Sequence, residues 1–272
     1  MGSLDEGGQI MASRSNQLPP DHPIYNPNGF VIETPMCFEL EQCLTQWLRL
    51  GRTGGVVLGD SRAGKSTAVE MVGKRLKTRS DEVIPACFIS LCNRDVKTIA
   101  AVYRNIWFSV NGTYKTKNSS DQMCYDLVHC FADMSFANNA RQVALFVDEM
   151  QYLTIEQFAP FVELGNKLRL LGTNLSVIFI GNWSECELML QNITTRQELE
   201  MLRGRFFKDS FSFKSVTSLQ DVDACLSKLG AYKYPTDAKY SLTQCAMKGV
   251  VPSNWKLTSL APKICKPPVI PG

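Results

Sequence analysis

The run Gly59-Asp60-Ser61-Arg62-Ala63-Gly64-Lys65-Ser66 constrains this chain more than any other feature. The apolar stretch Gly55-Val56-Val57-Leu58 leads into it as a buried strand would. Thr67-Ala68-Val69-Glu70-Met71-Val72 leads out with helical spacing. The spelling is G-x-x-x-x-G-K-[ST], and it has mechanical meaning only between a strand and a helix. A strand ending in such a loop turns backbone N–H groups inward, and the helix N-terminus behind adds its dipole. Together they cradle the phosphates of a nucleoside triphosphate. Lys65 then reaches the terminal phosphates, and the Ser66 hydroxyl can ligate Mg²⁺. ATP with Mg²⁺ is the expected cofactor, with Gly59, Asp60, Ser61, Arg62, Ala63, Gly64, Lys65, Ser66 and Thr67 around it.

A chain of 272 residues, 44% hydrophobic and 20% charged, can bury one large core, alone or with a small satellite beside it. No apolar run approaches the length needed to span a bilayer, and no basic segment followed by an apolar one opens the chain. Met1 to Ile10 reads as a cloning remnant or an alternative start, with Met11 a second initiator, and disorder is expected there. The ten cysteines are scattered without a C-x-x-C pair. Most sit in apolar settings, where a thiol behaves as a small hydrophobe, so a reducing cytoplasm suits them. Cys124, His129 and Cys130 are close in sequence but match no common zinc spacing.

The net charge of +3 is unevenly spread. From Met201 onward, eleven Lys or Arg face four Asp, and between Asn93 and Asn118 five cations face Asp95 alone. Such excesses suit a polyanion partner, and a solvated surface explains them equally well.

Thr34-Pro35 reads as a helix start, with Thr34 as N-cap, and the helix runs with an apolar stripe to Gly51. Strands are expected at the phosphate loop, over Val83 to Leu91, Gln142 to Val147 and Leu175 to Ile180. Helices are expected over Thr98 to Val110, Gln122 to Phe136 and Phe158 to Leu171, with a polar loop over Asn111 to Ser120. An apolar strand containing Phe206, Phe207, Phe211 and Phe213 follows. This alternation predicts an α/β fold with a parallel sheet covered on both faces. Leu219 to Leu229 and Ala238 to Met247 read as short helices of a small lid. The expected divisions are an arm over 1–33, a nucleotide-binding α/β domain over 34–214, a helical lid over 215–261 and an irregular tail over 262–272.

Val143-Ala144-Leu145-Phe146-Val147-Asp148-Glu149 is an apolar strand ending in two carboxylates. Beside a phosphate loop this is the Walker B pattern: Asp148 helps to hold Mg²⁺, and Glu149 acts as the base toward an attacking water. The second acid favours an ATPase over a nucleotide kinase. Asn182, just after the next strand, can stand between the carboxylates and the γ-phosphate as a sensor, or simply be a turn residue. Arg205 first and Arg203 second are candidates for an arginine finger reaching a neighbouring subunit's nucleotide; a surface salt bridge is the alternative for either one.

Walker A, Walker B with Asp-Glu, a sensor Asn, a late Arg pair and a helical lid, in this order, resemble an AAA+ ATPase. From about Phe38 to about Leu260 the sequence is similar to the TnsC/TniB family of transposon regulators, with IstB-like helicase loaders further off. GDSRAGKST, LFVDEMQYLT, VIFIGN and LRGRFF carry the resemblance. It implies an AAA+ P-loop NTPase core with a C-terminal helical lid, in a cytoplasmic bacterial protein that acts away from membranes. It further implies ATP-dependent assembly of a ring or helical filament of identical subunits around double-stranded DNA. That assembly would link a TniQ-like, often CRISPR-associated targeting factor to a transposase. Relatives contact DNA through segments after the second strand, which here makes Arg94, Lys97, Thr113, Lys115 and Lys117 the candidate phosphate contacts. Two departures stand out: no arginine occupies the lid-sensor stretch MKGVVPSNWKLTSLA, where Lys256 is the available cation, and little chain follows it. A helicase-loading or replication-initiation ATPase, and a nucleotide-gated scaffold with little hydrolysis, are the competing functions.

Overall fold

Each central strand sorts its side chains between two layers. Val56, Leu58, Val143, Leu145, Val147, Val177 and Phe179 enter one apolar cluster, while Val57, Ala144, Phe146, Ile178 and Ile180 enter the other. Successive side chains of a strand point to opposite faces, so a strand apolar at every position needs cover on both. The structure is a computed structural model that describes Tyr25 and residues 31–93, 98–111, 119–234, 237–241, 243–244, 250–252 and 254–265.

The described residues fall into two compact units. The larger is Met36–Ser215; the smaller joins residues up to Pro35 with those from Val216 onward. In the larger unit, the elements run α1 (Pro35–Arg49), β1 (Gly54–Gly59), α2 (Lys65–Gly73), β2 (Ala86–Ser90), α3 (Ile99–Asn111), α4 (Ser120–Ala137) and β3 (Gln142–Asp148). They continue with α5 (Ala159–Leu170), β4 (Asn174–Asn182), α6 (Trp183–Thr195), α7 (Glu200–Phe206) and β5 (Ser210–Phe213). The five strands form one parallel sheet in the order β2-β3-β4-β1-β5. β4 therefore lies between β1, which carries the phosphate loop, and β3, which carries the carboxylates. That is the arrangement expected of an α/β P-loop core.

α1 begins at Pro35 and is stopped by a Schellman motif. Gly51, at φ +68°, donates to Leu48 O, and Arg52 donates to Trp47 O. Only glycine takes that left-handed turn without steric cost, which is why the sequence reads so clearly there. Leu40, Leu44, Trp47 and Leu48 bury the inner stripe of α1 against α2 and the sheet. On the opposite face, Phe158, Phe161, Phe206 and Phe207 gather around Phe179 of β4 with ring centroids 5.1–6.0 Å away.

Three expectations change. The run from Val83 to Leu91 yields a strand only over Ala86–Ser90, because Pro85 has no N–H to give a ladder. Val83 instead makes an isolated antiparallel bridge with Lys77. The expected strand containing Phe206 and Phe207 is a helix end and a bend, and β5 starts only at Ser210. Packing against Phe179 holds both rings where α7 delivers them. Finally, α6 and α7 fill a stretch for which the sequence had suggested no helix.

In the smaller unit, α8 (Leu219–Ala231) is capped by Ser218, whose hydroxyl accepts from Asp221 N–H. Lys228 donates to Glu33 O at 2.8 Å, fixing the segment before α1 to α8. A helical turn over Leu257–Leu260 and a short helix over Ala261–Ile264 follow. Of the expected helix over Ala238 to Met247, residues 238–241 are not helical, residues 243–244 are, and residues 242 and 245–247 lie outside the described residues. Among the described residues no helix is long and apolar enough to cross a membrane.

Candidate nucleotide site

Three strand ends meet at a cleft of about 400 Å³. From the β1 loop come Ser61 to Thr67, from the end of β3 Asp148 and Glu149, and from the end of β4 Gly181 and Asn182. Gly59 pairs with Asn182 in the ladder, so Asn182 starts beside the phosphate loop. Parallel strands all deliver their C-terminal ends to the same edge of the sheet, and the topology alone brings these residues together.

Lys65 is the only charged side chain buried among the described residues, 9% exposed. Its Nζ donates to Gly59 O at 3.0 Å and Asp60 O at 2.5 Å, two carbonyls of its own loop. An ammonium group has three donors, so one remains for the cleft. Gly59 and Asp60 thus act here through their carbonyls and do not line the cleft themselves. Gly64, at φ +90°, is the residue before α2, and its carbonyl accepts the first helical bond from Ala68.

Asp148 is oriented by the next residue, for Glu149 N–H donates to its Oδ1 at 2.9 Å. Asn182 Nδ2 donates to Glu185 Oε1 at 3.2 Å, and Ser184 Oγ donates to Asn182 Oδ1 at 3.3 Å. Two of the non-glycine residues with positive φ, Arg62 and Glu149 (both +59°), line this cleft. A left-handed conformation costs a side-chain-bearing residue about 1–2 kcal/mol. Such strain concentrates where a site requires it.

The donor set fits a triphosphate with a divalent cation. A buried ammonium and a helix N-terminus face the space where phosphates would lie, and a hydroxyl (Ser66) and a carboxylate (Asp148) supply hard oxygens for Mg²⁺. When bound, Mg²⁺ would neutralise phosphate charge.

Arg203 and Arg205 are not brought to this cleft. Arg203 Nη1 donates to Thr194 O at 2.8 Å at the end of α6, and Arg205 Nη1 donates to Asn166 Oδ1 at 2.9 Å. Both sit on α7, so neither can serve the nucleotide of its own chain from there. Arg94, Lys97, Thr113, Lys115 and Lys117 lie outside the described residues. Lys256 belongs to the smaller unit, where its carbonyl accepts from Ser259 N–H.

Gln151, Tyr152 and Glu185 also line the cleft and were not singled out from the sequence. A signal for Glu185 existed: Asn182-x-x-Glu185 at a helix start has the spacing of a capping box, which folds the fourth residue back on the first. Cys186 lies just behind the cleft, fully buried, and burial pushes its thiol up to about 11, with Glu185 adding to the effect.

The family model described as AAA domain matches residues 49–190, from the end of α1 into α6. The chain belongs to this AAA domain family. The match spans both the phosphate loop and the Asp148-Glu149 pair, so a nucleotide-binding P-loop fold is established. No curated protein matches the sequence. Among solved structures, the Aeropyrum pernix ORC2 protein, described in ADPNP–ADP complexes, aligns at TM-score 0.52 and 12% identity, covering 77% of this chain and 55% of that one. The chain thus spans little more than half the length of ORC2, and the likeness is one of fold. A katanin chain, from a structural study of katanin self-assembly, aligns at TM-score 0.38 and 13% identity, covering 86% of this chain and 63% of that one.

Proposed function

We propose that this AAA-family chain hydrolyses ATP, assembles as an oligomer on double-stranded DNA, and regulates transposition in the manner of TnsC/TniB proteins. The observation that carries the ATPase reading is the convergence of Lys65, Ser66, Asp148, Glu149 and Asn182 on one cleft from three different strand ends. Lys65 offsets charge on the terminal phosphate, and Ser66 with Asp148 holds the Mg²⁺ site. Asn182 fixes a water in line with the γ-phosphorus, and Glu149 takes its proton as the bond to the ADP oxygen breaks. Arg205, or Arg203, completes the charge stabilisation from a neighbouring subunit. That role fits their distance from their own chain's cleft and requires an oligomer.

The transposition reading rests on the resemblance in GDSRAGKST, LFVDEMQYLT, VIFIGN and LRGRFF. In it, Arg94, Lys97, Thr113, Lys115 and Lys117 hold DNA phosphates, and a TniQ-like factor and a transposase bind the assembled oligomer. Negative-stain electron microscopy with duplex DNA, with and without a non-hydrolysable ATP analogue, tests it. Analogue-dependent rings or filaments on DNA are expected. Glu149→Gln should persist on DNA with ATP alone, and the Lys97→Ala/Lys115→Ala pair should lower the salt slope of DNA binding by about 2. Particles indifferent to DNA and nucleotide would overturn the reading in favour of a helicase-loading ATPase or a scaffold.

A further inference from the structure

A general base is only as good as its aim, and the carboxylate of Glu149 is not left to rotate. Glu149 follows β3 in a left-handed conformation (φ +59°, ψ +43°), and one 3₁₀ turn over Met150–Tyr152 folds the chain straight back, closed by Tyr152 N–H to Glu149 O at 3.0 Å. That turn carries Gln151 over the preceding side chain, and Gln151 Nε2 donates to Glu149 Oε2. The other end of the same amide is anchored too. Cys186 Sγ, from α6, approaches Gln151 Oε1 at 3.8 Å.

The amide can sit only one way round. An ionised carboxylate accepts and never donates, so the NH₂ group must face Glu149. A protonated thiol is a weak donor, and with its ionisation pushed up to about 11 by burial Cys186 keeps its proton. Oε1 therefore belongs to the thiol. The floor of this arrangement is Gly181 of β4, where an added Cβ would lie 2.6 Å from Cys186 Sγ and 3.3 Å from Gln151 Oε1. No larger residue leaves room for the amide and the thiol to meet there.

We infer that Gln151 is a positioning residue for ATP hydrolysis: it occupies Oε2 of Glu149 and leaves Oε1 as the single oxygen free to take the proton of the attacking water. The amide, clamped between β4 and α6, makes a strained backbone and a flexible side chain deliver one geometry. Gln151 itself touches no reacting atom in this account and acts entirely through Glu149. The inference rests on the reading of Glu149 as the base.

Steady-state ATP hydrolysis in the presence of duplex DNA, together with the affinity for a fluorescent ATP analogue, is measured for four variants of the full chain. Gln151→Ala and Gln151→Met are expected to lower kcat by about 10–100-fold, since a misaimed group costs on this scale. KM and analogue affinity should stay within about twofold of the unaltered chain, and Gln151→Met keeps the volume of the side chain while losing the donor. Glu149→Gln should lose more. Adding Gln151→Ala to Glu149→Gln should cost nothing further, because a residue that acts through another has no effect once that other is gone. Wild-type kcat in Gln151→Met, or additive losses in the double variant, overturns the inference while leaving Glu149 as the base. An active Glu149→Gln variant, or an unaltered chain without ATPase activity, overturns the underlying reading and the inference with it.

Discussion

The two ends of the sheet spend their polar groups differently. At the N-terminal end, bonds close on one another: Gln142 Nε2 donates to Leu48 O and Ser176 Oγ, Ser176 Oγ donates to Arg52 O, Thr53 Oγ1 donates to Arg205 O, and Arg52 pairs with Asp209 at 3.3 Å. These contacts tie α1, β3, β4 and the approach to β5 together, and Gln142 and Ser176 are buried. At the C-terminal end, Lys65 keeps one donor unspent, Arg62 and Glu149 hold left-handed backbones, and Asp148 faces a cleft. Burying a polar group costs little once it is paired, so the closed end contributes stability. The open end retains the groups that the proposed nucleotide would partner. The same strands supply both, and only their direction decides which end binds.

The largest effect that would test this contrast is Lys65→Ala. Binding of an ATP analogue should be lost, while the thermal midpoint stays within a few degrees of the unaltered chain. An affinity within tenfold of the unaltered chain would remove Lys65 from the phosphate site. The converse substitution is Gln142→Ala, which removes one hydrogen bond each from Leu48 O and Ser176 Oγ, both of which keep another partner, and should cost about 1 kcal/mol in a urea melt. Analogue affinity should not change; a matching fall in affinity would erase the distinction between the two ends.

Arg62→Gly separates strain from binding. Relief of the left-handed backbone should raise stability by about 1 kcal/mol, and loss of the cation should weaken analogue binding. Lower stability in this variant would remove strain from the account of the loop. The smallest expected effect lies away from both ends. Lys167 and then Tyr103, by their hydrogen bonds, hold the Glu163 carboxyl below its usual value of 4.5. A carboxyl lowered in the folded state stabilises fully above that value and loses its contribution as pH falls through the lowered one. Glu163→Gln should therefore lower stability slightly at neutral pH, match the unaltered chain at strongly acid pH, and so flatten the profile below about 4.5. A parallel profile would show that Glu163 is not what acid titrates.

Legibility in the sequence followed how local each signal was. The phosphate loop, the apolar strand ending in Asp148-Glu149 and the stop at Gly51 were readable because each depends on neighbouring residues: a turn, a period or a left-handed position. β2 was overestimated because hydrophobicity says nothing of a missing N–H until Pro85 is placed in a ladder. Phe206 and Phe207 read as strand because aromatic residues fit both elements, and only contact with Phe179 decided between them. Gln151 lies inside the LFVDEMQYLT run, where nothing local marks it. A 3₁₀ turn that folds a side chain back over its second neighbour leaves no periodic trace.

The sequence by itself determined that this chain builds a parallel α/β P-loop fold, and it marks Lys65, Ser66 and Asp148 as candidates to meet phosphate and Mg²⁺. Those properties follow from short-range chemistry: backbone donors in a glycine-rich loop, a lysine at a fixed offset, two acids at the end of an apolar run. The tertiary structure decided strand order, and with it that Asn182 stands between the loop and the carboxylates. It also decided that Arg203 and Arg205 turn to Thr194 and Asn166, and that Gln151 is wedged between Glu149 and Cys186. Each of these joins residues through packing across separate elements, and a contact of that kind is a property of the folded core that no window of sequence contains.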